Sequence, residues 1–278
     1  MQILVIGANG YVGARLYQDL KKEFGDVIGT FNSHQLFKEL IHLDVTKPAQ
    51  VDAVVIQTKP EVIVNVVSNP SSAWCAEHPA EAEALNVGGA KNVLTAANRV
   101  NAKLVYISSR SALHPNDVYG KTKLEAQEIS KGAKAGWLII QPGHVIGLSP
   151  NVDNERFFNN TMKDFRDKGE TVADNSGALA PTWIGHISEV VATSIKKGIC
   201  SETLQPVSPV LKTRFEMAND MFSGFDVKVV PKDDHLLSTK VQPDDSALKR
   251  LSLPTHSYEE MIAKIRDEIR RSGALEKN

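Results

Sequence analysis

Residues 2–20 read QILVIGANGYVGARLYQDL, and the interpretation of this stretch decides the fold. QILVIG (2–7) is a short apolar run that stops at glycine, and YVGARLYQDLKKEF (11–24) has helical spacing. Between them GANGYVG (7–13) spells G-x-x-G-x-x-G. Gly7 permits a tight turn, Gly10 lets a backbone approach a pyrophosphate, and Gly13 lets helix and strand pack closely. The start of the helix adds free N–H groups and the positive end of its dipole. A glycine-rich turn without a ligand is the plain alternative. Strand, glycine turn and helix at the head of an alternating chain favour a dinucleotide site, with Asn9, Tyr11 and Val12 in the same loop.

The alternation continues. Short apolar runs occur at 26–31, 40–46, 60–68, 102–109 and 136–143, and helical patterns lie between them at 48–59, 79–100 and 118–132. Near-continuous apolar strands separated by helices predict a parallel sheet covered on both faces, with right-handed crossovers. The fold class is therefore α/β, a Rossmann-type doubly wound sheet over residues 1–150. Residues 151–278 break the rhythm and are expected to form a smaller α/β substrate lobe, with 184–204 returning to the sheet. Helical patterns in the second half cover 155–169, 187–198 and 257–273.

Bulk properties exclude several classes. The chain has 278 residues, enough for a sizeable core, and 42% of them are hydrophobic. A net charge of -1 offers no basic footprint for nucleic acid. No apolar run reaches the roughly 20 residues needed to span a bilayer. Met1 leads straight into QILVIGANG without a signal-peptide pattern. Cys75 and Cys200 give no disulfide framework, and the eight histidines show no metal-ligand spacing. The expectation is a cytoplasmic protein without a metal, acting on a small molecule, with a homodimer as a possible assembly.

VYGKTK (118–123) sets Tyr119 four residues before Lys123, and LYQDLKK sets Tyr17 four before Lys21. Spacing alone cannot choose between the two pairs. Tyr17 sits on the first crossover helix, whereas Tyr119 opens a helix just after LVYISS (104–109). Chemistry in open parallel sheets lies beyond the carboxyl ends of the strands. One helical turn puts Tyr119 and Lys123 on one face, where the ammonium favours the phenolate. A strand-end hydroxyl shares the proton, giving a general acid/base beside a nicotinamide. Residues 29–34, GTFNSH, lack an acid to grip a ribose 2′-hydroxyl. Asn32 and Ser33 suit a 2′-phosphate instead, so NADP(H) is expected over NAD(H).

Taken together, these motifs resemble extended short-chain dehydrogenase/reductases, and among them the dTDP-4-dehydrorhamnose reductases and their relatives. The likeness runs over nearly the whole chain. Cys75 to Gly89, in the pattern C-x-x-x-P-x-x-A-x-x-x-N-V-x-G, points to that subgroup, as do IIQPGHVIG and APTWIGHISEVV. The resemblance implies NAD(P)-dependent reduction of a keto group on a sugar or nucleotide-sugar. It implies that Ser109 joins Tyr119 and Lys123, with Ser108 and Ser111 as nearby substitutes. It places Asp44 and Val45 by the adenine and Val66, Val67 and Ser68 beside the cofactor. Asn86 supports the site, Pro142, His144 and Val145 lie along the nicotinamide, and Pro181, Thr182 and Trp183 shape the sugar pocket. The link RSALHPNDV (110–118) is shorter than relatives carry, and Arg110 stands where they often place aspartate. Both suggest a less enclosed substrate with a carboxylate or phosphate for Arg110 to hold. Two alternatives accompany the reductase reading: an NAD-retaining epimerase or dehydratase, and a non-catalytic regulatory subunit built on a dinucleotide fold.

Overall fold

The computed structural model describes residues 1–275. Eleven strands follow in chain order: β1 Ile3–Ile6, β2 Val27–Phe31, β3 Ile41–His42, β4 Val62–Asn65, β5 Lys103–Ile107, β6 Trp137–Ile140, β7 His144–Ile146, β8 Glu170–Asp174, β9 Pro181–Trp183, β10 Glu202–Leu204 and β11 Lys228–Lys232. Seven of them form one sheet in the order β3-β2-β1-β4-β5-β6-β10, and every pairing in it is parallel. β1 has β2 on one side and β4 on the other, so the strand order reverses at β1 and opens a crevice at its carboxyl end.

Alternate residues of β1 serve opposite faces, as the pleat requires. Ile3 and Val5 pack with Leu16, Tyr17 and Leu20 of the helix Tyr11–Phe24 and with Ile187, Val190 and Val191 of the helix Ile184–Lys196. Leu4 and Ile6 pack with Val51, Val54 and Val55 of Pro48–Thr58 and with Val93, Ala96 and Ala97 of Gly89–Val100. The all-apolar strand run seen in the sequence is thus a sheet buried on both sides.

A second core lies beyond the carboxyl edge. Phe158, Met162 and Phe165 of the helix Phe157–Lys168 meet Met217, Met221 and Phe222 of Arg214–Phe222 and Ile262, Ile265 and Ile269 of Tyr258–Ser272. Two small parallel pairs, β8 with β11 and β7 with β9, complete this part.

Two elements differ from expectation. The run at 40–46 yields only the two-residue β3, because Asp44 turns the chain by accepting hydrogen bonds from the backbone and hydroxyl of Thr46 (2.9 and 2.7 Å). The single helix expected over 79–100 is broken into Pro79–Ala82, a π-turn Glu83–Gly88 and Gly89–Val100, with a short helix Ser72–Glu77 before it. Insertions of this kind often mark functional sites. Here the π-turn carries Asn86, which accepts from the Asn69 backbone (2.9 Å) and donates to the Thr122 hydroxyl (3.0 Å).

The second core holds Tyr11 from the glycine turn. Its hydroxyl donates to the carbonyl of Gly147 at 2.5 Å in a fully buried setting. Tyr11→Phe leaves that carbonyl unpaired and is expected to cost about 1–3 kcal/mol. Urea unfolding measures it; an unchanged midpoint contradicts the assigned role.

Candidate functional site

The glycine turn is built for close backbone approach. Gly7 has φ +90°, and a side chain on Gly13 would start 2.0 Å from the Gly7 carbonyl oxygen. The helix Tyr11–Phe24 begins at Gly10 with no side-chain cap and no acid in its first turn. Its first N–H groups therefore stay available to an anion, which fits a dinucleotide pyrophosphate.

A continuous cleft runs from this turn across the carboxyl ends of β1, β4 and β5. Its first section, about 550 Å³, is lined by Gly7, Asn9, Asn32, Ser33, Val45, Val66, Val67 and Ser68. A middle section of about 280 Å³ shares Gly10, Val66 and Ser68 with the first and adds Tyr11, Val12, Gly13, Ser109, Tyr119, Pro142, His144 and Val145. A third section of about 600 Å³ shares Ser109, Tyr119 and His144 and opens onto Arg110, Arg214 and residues 237–241. A separate cavity of about 440 Å³ lies at the amino ends of the strands, lined by Lys59, Glu61, Trp137 and Cys200, and holds none of the expected site residues. Among the described residues no cluster of His, Cys, Asp and Glu could hold a metal ion, and no helix is long and apolar enough to cross a membrane.

The two tyrosine–lysine pairs separate cleanly. Tyr17 receives a hydrogen bond from Lys21 (3.1 Å) and meets Glu39 (3.1 Å), away from the cleft. Tyr119 and Ser109 line the same two sections of the cleft, and the Ser109 hydroxyl donates to that of Ser111 at 3.2 Å. Burial pushes the Tyr119 phenol up, while the Ser109 hydroxyl and the Arg156 guanidinium pull it down. The helix Val118–Ser130 that carries it is capped by Asp117, which accepts from the Gly120 N–H at 2.7 Å. Ser109 also accepts from the Ser111 backbone (3.1 Å). Ser108 is engaged with Gln127 (3.2 Å) and buried, so it does not substitute for Ser109.

The placement of the other expected residues varies. Lys123 is fully buried, donates to the Ile107 carbonyl (2.7 Å) and lies over the Tyr106 ring at 4.4 Å, and among the described residues no hydrogen bond joins it to Tyr119. Burial lowers its pKa to about 7. Arg156 shares both cleft sections with Tyr119. Arg110 does not await a ligand: its guanidinium is committed to Gln205 and to the carbonyls of Val241 (2.7 Å) and Gln242 (3.0 Å). It thereby anchors the end of residues 237–241, which line the third section. Pro181, Thr182 and Trp183 are buried in β9. Thr182 accepts from the Gly143 N–H (2.9 Å) and donates to Pro206 (2.8 Å), while Trp183 packs in the second core. The preceding Leu179 and Ala180 reach the cleft instead. Asp44 is used on Thr46, and its neighbours Leu43 and Val45 line the first section. Asn9 accepts from the Leu36 N–H (2.7 Å) and Asn86 is saturated within the protein, so both are supports.

The structure adds residues that no motif announced. Arg156, at the head of Phe157–Lys168, lines the middle and third sections. Arg214 lines the third. His144 lies near both, and burial, then Arg214 and Arg156, lower its pKa to about 3, so its ring is neutral. Helical spacing marks Arg156 and Arg214 only as polar positions near helix starts.

The fold and this cleft define a Rossmann-type dinucleotide-fold protein. The chain belongs to the RmlD substrate binding domain family, whose profile matches residues 1–268. It is similar to the dTDP-4-dehydrorhamnose reductase of Aggregatibacter actinomycetemcomitans, 25% identical over 73% of this chain and 70% of that protein. It is also similar to the methionine adenosyltransferase 2 subunit beta of Xenopus laevis, 29% identical over 81% of this chain and 72% of that one. Among solved structures, dTDP-4-dehydrorhamnose reductase from Bacillus anthracis in complex with NADP superposes with TM-score 0.80 at 21% identity, covering 96% of this chain and 100% of that one.

Lys123 sets a pH signature. Its folded pKa of about 7 lies below its ordinary 10.5. Between these values the unfolded chain holds a proton that the folded chain has lost, so stability rises with pH across that window. Lys123→Met removes this rise. Thermal melts from pH 7 towards pH 10.5 check it, and identical slopes in both proteins contradict a lysine buried in this way.

Proposed function

We propose that the protein is an NADP(H)-dependent reductase of a keto group on a sugar or nucleotide-sugar. One observation carries this reading: Ser109 and Tyr119 line a cleft section together with the glycine-turn residues Gly10 to Gly13. The reduced nicotinamide supplies a hydride to the carbonyl carbon. Tyr119 donates its phenolic proton to the carbonyl oxygen, with Ser109 orienting the phenol and Arg156 stabilising the phenolate left behind. Burial among Pro142, Val145 and Ile107 limits water at that point. The open N–H groups of the Tyr11–Phe24 helix and Val66 to Ser68 hold the cofactor. Asn32 and Ser33 meet a 2′-phosphate, and the one acid in that lining, Asp153, comes from the segment before Phe157–Lys168 rather than from residues 29–34.

Tyr119→Phe is expected to lower turnover on keto-sugars by about 10²–10⁴ while cofactor affinity stays close to normal. Tyr17→Phe is expected to be silent. Turnover assays on a keto-sugar panel decide; full activity in Tyr119→Phe sinks the assignment. Titration with both reduced cofactors is expected to give tighter binding of NADPH than of NADH, and the reverse order removes the role given to Asn32 and Ser33.

A second reading has its own support. The likeness to a methionine adenosyltransferase subunit and the engagement of Lys123 by the Ile107 carbonyl both suit a binding subunit that performs no turnover. NADPH binding with no reduction of any panel member, together with stable association with a methionine adenosyltransferase catalytic chain, favours it over the reductase.

A further inference from the structure

Arg156 and Arg214 come from different helices and line the same outer section of the cleft, and Arg156 also lines the middle section that holds the glycine turn. Both share that lining with His144. Among the described residues neither guanidinium has an ion-pair or hydrogen-bond partner. The neighbouring charges do not compensate them. Arg110 is committed to Gln205 and two carbonyls, and Lys240 adds a further positive group. Asp117 is the one acid in that lining, and its carboxylate already caps a helix. His144 stays neutral. Partly burying a cation without a counter-charge is costly, and a ligand anion removes the cost.

We propose that Arg156 and Arg214 form a clamp for an anionic group, a carboxylate or a phosphate monoester, carried by the substrate beside its reacting carbonyl. This rests on the keto-sugar reading of the cleft and narrows it to keto-sugar acids or keto-sugar phosphates. The planar guanidinium fork matches both anions through paired hydrogen bonds. The position follows from the linings: Arg156 and Arg214 share the outer section with Tyr119, and Arg156 continues into the middle section. An anion held between the two lies at the reacting end of a ligand. The cofactor pyrophosphate has its own donors at the glycine turn, and Arg214 does not line the sections that hold that turn.

The test is calorimetric titration of the full chain with glucuronate, glucose 6-phosphate, glucose and dTDP-glucose, each with and without NADPH. Wild type, Arg156→Gln, Arg214→Gln and Arg214→Lys are compared, with thermal melts to confirm folding. The expected result is binding of glucuronate or glucose 6-phosphate about ten-fold or more tighter than glucose. The stronger of the two identifies the anion. Each Gln variant loses about ten-fold of that preference, Arg214→Lys retains part of it, and NADPH affinity stays within about two-fold. Equal binding of charged and neutral sugars overturns the clamp. So does a ten-fold loss of NADPH affinity in Arg156→Gln, which assigns that residue to the cofactor, or a loss confined to dTDP-glucose, which assigns both to a diphosphate (about 1.4 kcal/mol per ten-fold). Failure of wild type to bind NADPH counts against the reductase reading alone, because the anion preference is scored without NADPH as well.

Discussion

The glycine turn is held from two sides, and the rest of the site depends on that. From below, β1 and the start of Tyr11–Phe24 fix it, with the Gly7 N–H donating to Thr30 at 3.2 Å. From above, residues 147–151 are stitched onto it. Tyr11 donates to Gly147 (2.5 Å), Ser149 donates to the Tyr11 carbonyl (2.6 Å), and Asn151 donates to the Asn9 carbonyl (2.6 Å). Arg15 extends the seam to Leu148 (3.0 Å) and Glu268 (2.6 Å). Buried polar contacts of this kind are costly to leave unmade. The same seam sets the path of the chain into Phe157–Lys168 and so delivers Arg156 to the cleft. Asn159 reinforces this by donating to the carbonyls of Asn151 and Asn154 (both 2.9 Å).

Charge in the cleft is distributed differently from the simplest tyrosine–lysine scheme. Lys123 turns inward, where burial favours its neutral form, and Arg156 is the permanent cation beside Tyr119. A guanidinium keeps its charge where an ammonium loses it. The phenol thus keeps electrostatic support across the neutral pH range. Arg110 is part of the scaffold: it secures residues 237–241, which line the outer cleft.

Much of the fold was legible because its signals are local. A strand buried on both faces reads as an unbroken apolar run, and Gly7 and Gly13 stand where any side chain would be strained or collide. The Tyr119 pair could be told from the Tyr17 pair by its place after β5. What could not be read depends on contacts between distant segments. The π-turn at Glu83–Gly88 follows from bringing Asn86 between Asn69 and Thr122, and no periodicity announces that. Pro181 to Trp183 looked like pocket residues, yet β9 pairs with β7 and is buried, and the preceding Leu179 and Ala180 line the cleft instead. Arg156 and Arg214, about sixty residues apart in the chain, line one cleft section with His144, a proximity that composition and spacing do not encode.

The central claim is that the glycine turn and the 147–156 segment form one ligand-binding unit. Hydrogen exchange followed with and without NADPH tests it most directly. The account predicts that NADPH slows exchange in residues 7–14 and in 147–156 together, while the cavity at the amino ends of the strands is unaffected. Protection of the glycine turn alone, or of neither segment, would contradict it.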